Sequence, residues 1–173
     1  MSRPWQPSDW TSSDDRVRGG SSVSYLTCLP LSPVADFHGN LDITTLGGAG
    51  FASQRTTGED RQWDLSSHDG LELDIKQSDG KRYTCVLKDS LLPKSPNGRD
   101  QSTISWEYDF QLHEVGKGEK IFIPWSDLKP TYRGRNKDDA EPLDLKKVKR
   151  ISLMMRRYTF LAPTQLRRLI IPY

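Results

Sequence analysis

Apolar and polar residues alternate with period two along most of the chain. Between residues 104 and 112, Ile104, Trp106, Tyr108, Phe110 and Leu112 hold one phase, and Ser105, Glu107, Asp109 and Gln111 hold the other. Leu71, Leu73 and Ile75 alternate with Glu72, Asp74 and Lys76. Tyr83, Cys85 and Leu87 alternate with Arg82, Thr84 and Lys88, and Val86 breaks the pattern. Ile151, Leu153 and Met155 repeat it. Successive side chains of a strand point to opposite faces, so each run predicts a strand with one buried face. Strands are also expected at 23–29, 37–44, 50–55, 120–123 and 166–171, and no stretch requires a long helix. Asp79-Gly80, within 77–81, predicts a hairpin turn between the second and third runs. Short helical turns are expected near 125–128 and 144–148. Strands without interleaved helices predict an all-β fold, a jelly-roll β-sandwich of two antiparallel sheets. Trp106, Tyr108, Phe110, Leu73, Ile75, Leu87, Leu153 and Ile123 are its expected core.

The 173 residues are enough for one domain that buries about two-thirds of its unfolded surface. The expected domain is 1–173, with 1–9 and 158–173 as its margins. No apolar run approaches about 18 residues, so no membrane span is expected. The segment from Met1 to Pro7 has no apolar signal core, and Asp9, Asp14 and Asp15 come too early for an acid-poor presequence. Cys28 and Cys85 read as reduced, half-buried thiols; a disulfide would need adjacent strands and an oxidising compartment. His38, His68 and His113 are scattered, so neither a metal nor a cofactor is expected.

Net charge is only +2, but it is unevenly spread. Residues 129–173 hold 12 Lys and Arg against 4 Asp and Glu, whereas residues 1–128 hold 13 against 19. The basic quarter is either a solvated surface or a contact for an acidic partner, whether a protein face, a nucleic acid or a lipid headgroup. Arg133, Arg135, Lys146, Lys147, Lys149 and Arg150 belong to it.

Catalytic signatures are missing: there is no G-x-S-x-G elbow, Walker loop or dinucleotide fingerprint, so an enzyme is not expected. Gly47-Gly48-Ala49-Gly50 leads into a strand and reads as a tight turn. Asp14 and Asp15 could assist a cation. The polar-phase residues Glu72, Asp74, Arg82, Ser105, Glu107, Asp109 and Arg156 would lie side by side if their strands were neighbours. Such a face is either a solvated surface with cross-strand ion pairs or a groove for a polyhydroxyl ligand. Glu107 and Asp109, roughly 7 Å apart on one strand, do not by their spacing make a glycosidase pair. Trp5, Trp10, Trp63, Trp106 and Trp125 are either stacking platforms or structural; Trp106 sits on the apolar phase. Two long loops, 90–102 and 129–142, interrupt the strands.

Several short motifs occur in a specific order. The loop Asp14-Asp15-Arg16-Val17-Arg18-Gly19-Gly20-Ser21-Ser22 comes first and predicts a glycine with positive φ and a Ser22 bonded to backbone. Phe37-His38-Gly39-Asn40-Leu41, residues 48–55, Trp63-Asp64-Leu65-Ser66 and Asp69-Gly70-Leu71 follow. Ile123-Pro124-Trp125-Ser126-Asp127-Leu128 then leads to Thr131-Tyr132-Arg133-Gly134. Over residues 10–157 this order resembles the mitochondrial complex I intermediate-associated protein 30 family. The resemblance implies a galactose-binding-like jelly roll related in shape to carbohydrate-binding modules. It implies a non-catalytic, chaperone-like assembly factor that holds intermediates of respiratory complex I (NADH:ubiquinone oxidoreductase) in mitochondria, with a protein partner and no nucleic acid. Because no presequence is visible, a cytoplasmic location is the alternative. The alternative function is a carbohydrate or small-ligand binding module using the polar face of one sheet. The binding residues expected across these readings are Arg18, Ser22, Arg55, Asp74, Arg82, Glu107, Asp109, Arg133 and Arg156. Arg133 is either a contact or an internal arginine bonded to carbonyls or Asp127. The last residues, 160–173, depart from the family pattern: either the closing strand is altered or the end is atypical for another reason.

Overall fold

The computed structural model describes residues 5–28, 33–156 and 164–172, with the side chains of 164–168 and 172 outside the description. The first half of the chain forms β1 (Trp10–Ser12), β2 (Val23–Cys28), β3 (Val34–Asp42), β4 (Phe51–Thr56), β5 (Gly70–Ile75), β6 (Gln77–Ser78) and β7 (Arg82–Lys88). The second half forms β8 (Ser105–Gln111), β9 (Glu119–Pro124), β10 (Lys129–Tyr132), β11 (Arg135–Asn136), β12 (Arg150–Arg156) and β13 (Thr164–Pro172). Among the described residues the helical elements are short 3-10 turns, two of them at the expected places, Trp125–Asp127 and Leu145–Lys147.

The strands form two antiparallel layers. One sheet runs β1-β4-β12-β7-β8-β10-β11. The other contains β2-β3-β13-β6, with the pair β5-β9 alongside. The Lys76 amide donates to the Ile170 carbonyl at 2.8 Å, so β5 and β6 are one strand broken at Lys76 and β9 extends the second layer. The all-β sandwich predicted from alternation is the fold observed.

Two local expectations are corrected. The Asp79-Gly80 turn exists, with Gly80 at φ 72° and the Lys81 amide donating to Asp79 at 3.0 Å. It is not a hairpin: β6 pairs with β13, while β7 lies between β12 and β8. The turn carries the chain from one layer to the other, and alternation identifies a strand without naming its neighbour. Within the expected loop 129–142, β10 and β11 form a hairpin. The strand expected at 166–171 forms as β13 in the middle of the second layer, paired with β3 along its whole length, and Leu169 and Ile171 are buried.

The core lies between the layers. Trp106, Phe110, Leu87, Leu153, Ile75 and Ile123 are buried in it, and Leu73 and Tyr108 are half-buried against it. Tyr83 meets Phe37 edge-on and stacks with Phe110, both at 6.1 Å between ring centres, bridging the two sheets. Cys28 and Cys85 are free thiols; Cys85 is buried, which pushes its thiol up to about 12. Among the described residues, no helix is long and apolar enough to cross a membrane.

In β7 the outward residues Thr84 and Val86 are buried as well as the inward ones. On that outer side Val86 and Lys88 belong to the lining of a cleft.

Candidate functional site

The outer face of the seven-stranded sheet is arranged by register. Arg55, Ser152, Val86 and Glu107 fall in one cross-strand row. Ser53, Met154, Thr84 and Asp109 fall in the next. On the other side of the first row, Arg150 stands opposite Lys88. The loop 44–50, the loop 99–104 and the β10–β11 hairpin wall this floor, enclosing a cleft of about 520 Å³. That volume suits a small molecule or a short segment of chain.

One wall is built by the Asp14-Asp15 loop. The Asp15 carboxylate accepts from the Ser22 amide (3.0 Å), the Ser22 hydroxyl (2.7 Å) and the Phe51 amide (3.1 Å). Asp14 accepts from the Ser24 amide (3.1 Å), the Ser24 hydroxyl (2.6 Å) and the Ser53 amide (3.0 Å). Both carboxylates are buried, and burial raises the Asp14 pKa against the opposing effect of those donors. They clip the N-terminal segment to β2 and β4, each carboxylate taken up by three donors. A Cβ on Gly20 would sit 2.3 Å from the Asp15 carboxyl, which is why the loop carries glycine there. Gly19, at φ 85°, supplies the left-handed bend. Together they leave Arg18 at the cleft edge, its guanidinium 5.5 Å from the centre of the Phe51 ring.

The opposite wall carries Arg133. Tyr132 pairs with Arg135, so Arg133-Gly134 is a two-residue turn with φ 52° and 77°. Such a turn favours Asn-Gly, and a left-handed arginine costs about 1 kcal/mol. The Arg133 guanidinium lies 5.4 Å from the Tyr132 ring centre, and the residue is exposed at the cleft wall rather than internal.

Between these walls runs a web of ion pairs. Arg156 donates to Glu107 at 2.6 Å and to Asp109 at 3.1 Å, and Thr131 donates to the other Glu107 oxygen at 2.7 Å. Arg55 and Arg150 meet the same oxygen of Asp100, at 2.9 and 3.1 Å. Lys88 donates to the carbonyl (3.1 Å) and hydroxyl (3.0 Å) of Thr103, both neutral acceptors. Burial, and then the neighbouring Arg150 charge, lower the Lys88 pKa to about 8. Burial and then Arg55 push Arg150 down from its usual range. Six cationic side chains line the cleft among the described residues, against the carboxylates Asp100 and Glu107, a surplus of four positive charges.

Of the residues singled out from the sequence, the fold brings Arg18, Arg55, Glu107, Arg133 and Arg156 to the cleft, with Asp109 beside it. It places four elsewhere. Ser22 is wholly buried in the clip, where its hydroxyl accepts from the Asp42 amide at 3.1 Å. Glu72 and Asp74 belong to β5 in the other layer, where Asp74 lies 3.6 Å from Lys76. Arg82 sits at the far end of β7, opposite Gln111, outside the cleft lining. The side-by-side face imagined for these residues therefore divides between the two sheets.

Lys88, Asp100 and Phe51 were not singled out, and Arg150 was counted only as part of the basic quarter. Lys88 shares the polar phase of β7 with Arg82 and Thr84, and that parity was the available signal. Asp100 comes from the long loop, whose path no periodicity describes. The tryptophans lie outside the cleft lining. Trp106 is in the core, and Trp63 is held in a backbone bridge with Val148, at 2.8 and 3.1 Å.

Comparison with known proteins agrees with this architecture. Residues 1–166 match the family of complex I intermediate-associated protein 30. An uncharacterized protein of Schizosaccharomyces pombe is 43% identical over 157 residues, covering 89% of this chain and 71% of its own. Among solved structures, the family 11 carbohydrate-binding module of the cellulosomal cellulase Lic26A-Cel5E of Clostridium thermocellum superposes with a TM-score of 0.58 at 18% identity, over 95% of this chain and 84% of that one. The Clostridium thermocellum family 11 module in complex with a β-1,3-1,4-mixed-linked tetrasaccharide gives 0.55 at 17% identity, over 95% and 85%. At these identities the likeness is one of fold.

Proposed function

The chain belongs to the complex I intermediate-associated protein 30 family, and from that premise we propose that it is a non-catalytic binding module of the assembly-factor type. In this reading it holds a protein partner, an intermediate of respiratory complex I, and works in mitochondria. The observation that carries the reading is the family match, which takes in both sheets up to the start of β13. The cleft chemistry supports it. Both oxygens of Glu107 are taken by Arg156 and Thr131, which suits a fixed acceptor rather than a group delivering protons to a substrate. An acidic face of the partner would meet Arg18 and Arg133 at the cleft edge and the lysines 146, 147 and 149 beyond. Charges of this kind steer encounter, so capture should be fast at low salt and weaken as salt rises.

The test is affinity capture with the full chain from mitochondrial and cytosolic fractions, read by mass spectrometry. Co-purification of complex I membrane-arm subunits, reduced by Arg133→Gln at unchanged melting temperature, is the expected result. Capture that ignores Arg133 and returns no complex I subunit overturns the reading.

The cleft itself favours a second reading, a carbohydrate or small-ligand module. Its lining carries both donors and acceptors, and the fold is that of modules one of which was solved with a tetrasaccharide. Against neutral glycans stands the scarcity of stacking surface: Phe51 is the aromatic ring among the described lining residues. Titration with neutral oligosaccharides decides it.

A further inference from the structure

Half of the charge surplus of the cleft stands on its walls, as Arg18 and Arg133, and the other half on its floor. Arg55 and Arg150 crowd onto a single oxygen of Asp100. The Arg150 side chain is more than nine-tenths buried, and the Nε groups of both arginines are buried without a hydrogen-bond partner. Lys88, directly across from Arg150, has only the neutral acceptors of Thr103 named above. Two arginines thus share the one carboxylate they pair with, which belongs to an exposed loop residue. The half-buried Lys88 has no ion pair of its own among the described residues, Glu107, Asp100 and Asp89 acting on it only through space. Buried charge of one sign is costly unless it is paired. Arg156, by contrast, is fully engaged by Glu107 and Asp109, so the imbalance of the floor lies with Arg55, Lys88 and Arg150.

We propose that the floor of the cleft, where Arg55, Lys88 and Arg150 converge, binds the oxyanion of a small molecule, carried as a phosphate or a carboxylate. In the free protein Asp100 occupies part of the place that this anion takes. Guanidinium groups offer paired donors that match the oxygens of either anion, and the ammonium adds a point charge. The hydroxyls of Ser152, Ser105 and Thr103, beside the cations, suit hydroxyls or further oxygens of the same ligand. A doubly charged phosphate answers the surplus better than a carboxylate and is the expected source. The inference rests on the cleft being a binding site, as both readings above hold, and not on the identity of any protein partner.

Calorimetric titration of the full chain at constant ionic strength tests it, with inorganic phosphate, glucose 6-phosphate, glucuronate and glucose as probes and chloride as the reference anion. Phosphate and glucose 6-phosphate should bind and raise the melting temperature, while glucose should not. Lys88→Met and Arg55→Gln should each weaken glucose 6-phosphate at least tenfold, with circular dichroism reporting an intact fold. Asp100→Asn, which removes the internal competitor, should strengthen binding severalfold; a merely structural Asp100 would not give that gain. Glucuronate binding as tightly as glucose 6-phosphate would assign the carboxylate source within the same site. No anion outperforming chloride, undiminished affinity in folded Lys88→Met and Arg55→Gln, or glucose matching its phosphate would each overturn the proposal. No protein partner enters the experiment, so its failure is distinguishable from failure of complex I capture.

Discussion

Lys88 on β7 and Arg150 on β12 occupy the same register position of neighbouring strands, two cations directly opposite each other on a half-dry surface. Like charges so placed destabilise a sheet. The pair persists because each cation finds a partner outside the two strands, Thr103 for Lys88 and Asp100 for Arg150. Both partners come from the segment that walls the cleft, so the packing of that segment and the charge of the floor are one structural fact.

Replacing Lys88 by Met should therefore raise stability, by about 1 kcal/mol, since it removes a buried charge and a like-charge neighbour while keeping the packed stem. Urea melts of parent and variant measure the change. A loss of stability would mean that the bonds to Thr103 outweigh the repulsion.

The same lysine makes stability depend on pH in the alkaline range. Its pKa is lowered to about 8 in the folded chain from an ordinary 10.5. Between these values the unfolded chain binds the proton that the folded chain has released, so the slope of unfolding free energy with pH is positive. Below about pH 8 the full cost of a buried ammonium is present, and it fades as pH rises toward 10.5. Arg150, Glu107, Asp100 and Asp89 are the charged groups that act on it. Urea melts at pH 7.5, 8.5 and 9.5 should show a rising component in the parent that is missing in Lys88→Met.

Asp15→Ala should cost about 3 kcal/mol or more, because the amides of Ser22 and Phe51 lose their acceptor inside the fold. Gly20→Ala should act in the same direction, its new methyl pressing on the Asp15 carboxyl. Both changes are read in thermal melts, and a neutral Gly20→Ala would show that the clip yields without strain.

Arg133→Asn should stabilise the β10–β11 hairpin by about 0.5–1 kcal/mol, because asparagine tolerates the left-handed conformation that arginine resists. Denaturant midpoints test it. A gain in stability joined to weaker partner capture would mark the arginine as kept for contact rather than for the turn.

Trp106→Ala should cost about 3–5 kcal/mol. The ring lies in the core between the sheets, opposite Leu87 in register and beside Pro130 of β10. A loss below about 1 kcal/mol in urea melts would mean that the core collapses around the deletion.

What the sequence determined by itself is which way each side chain faces. In β8, Trp106 and Phe110 go inward and Glu107 and Asp109 outward, and this follows from the two-residue pleat, a property of a few adjacent residues. The glycine at the left-handed bend, Gly19, was legible for the same local reason. The family order of motifs was legible too, and with it the sandwich. Which strands become neighbours was decided only by the tertiary structure. Glu72 and Arg82 stand ten positions apart and read as one face, yet the turn at Asp79-Gly80 sends them to different layers. Asp100 reaches Arg55 and Arg150 from 45 and 50 positions away, because its loop closes over β4 and β12. Pairing and loop closure answer to the burial of the whole core, a non-local free energy that no window of sequence contains, and the charged floor of the cleft is its product.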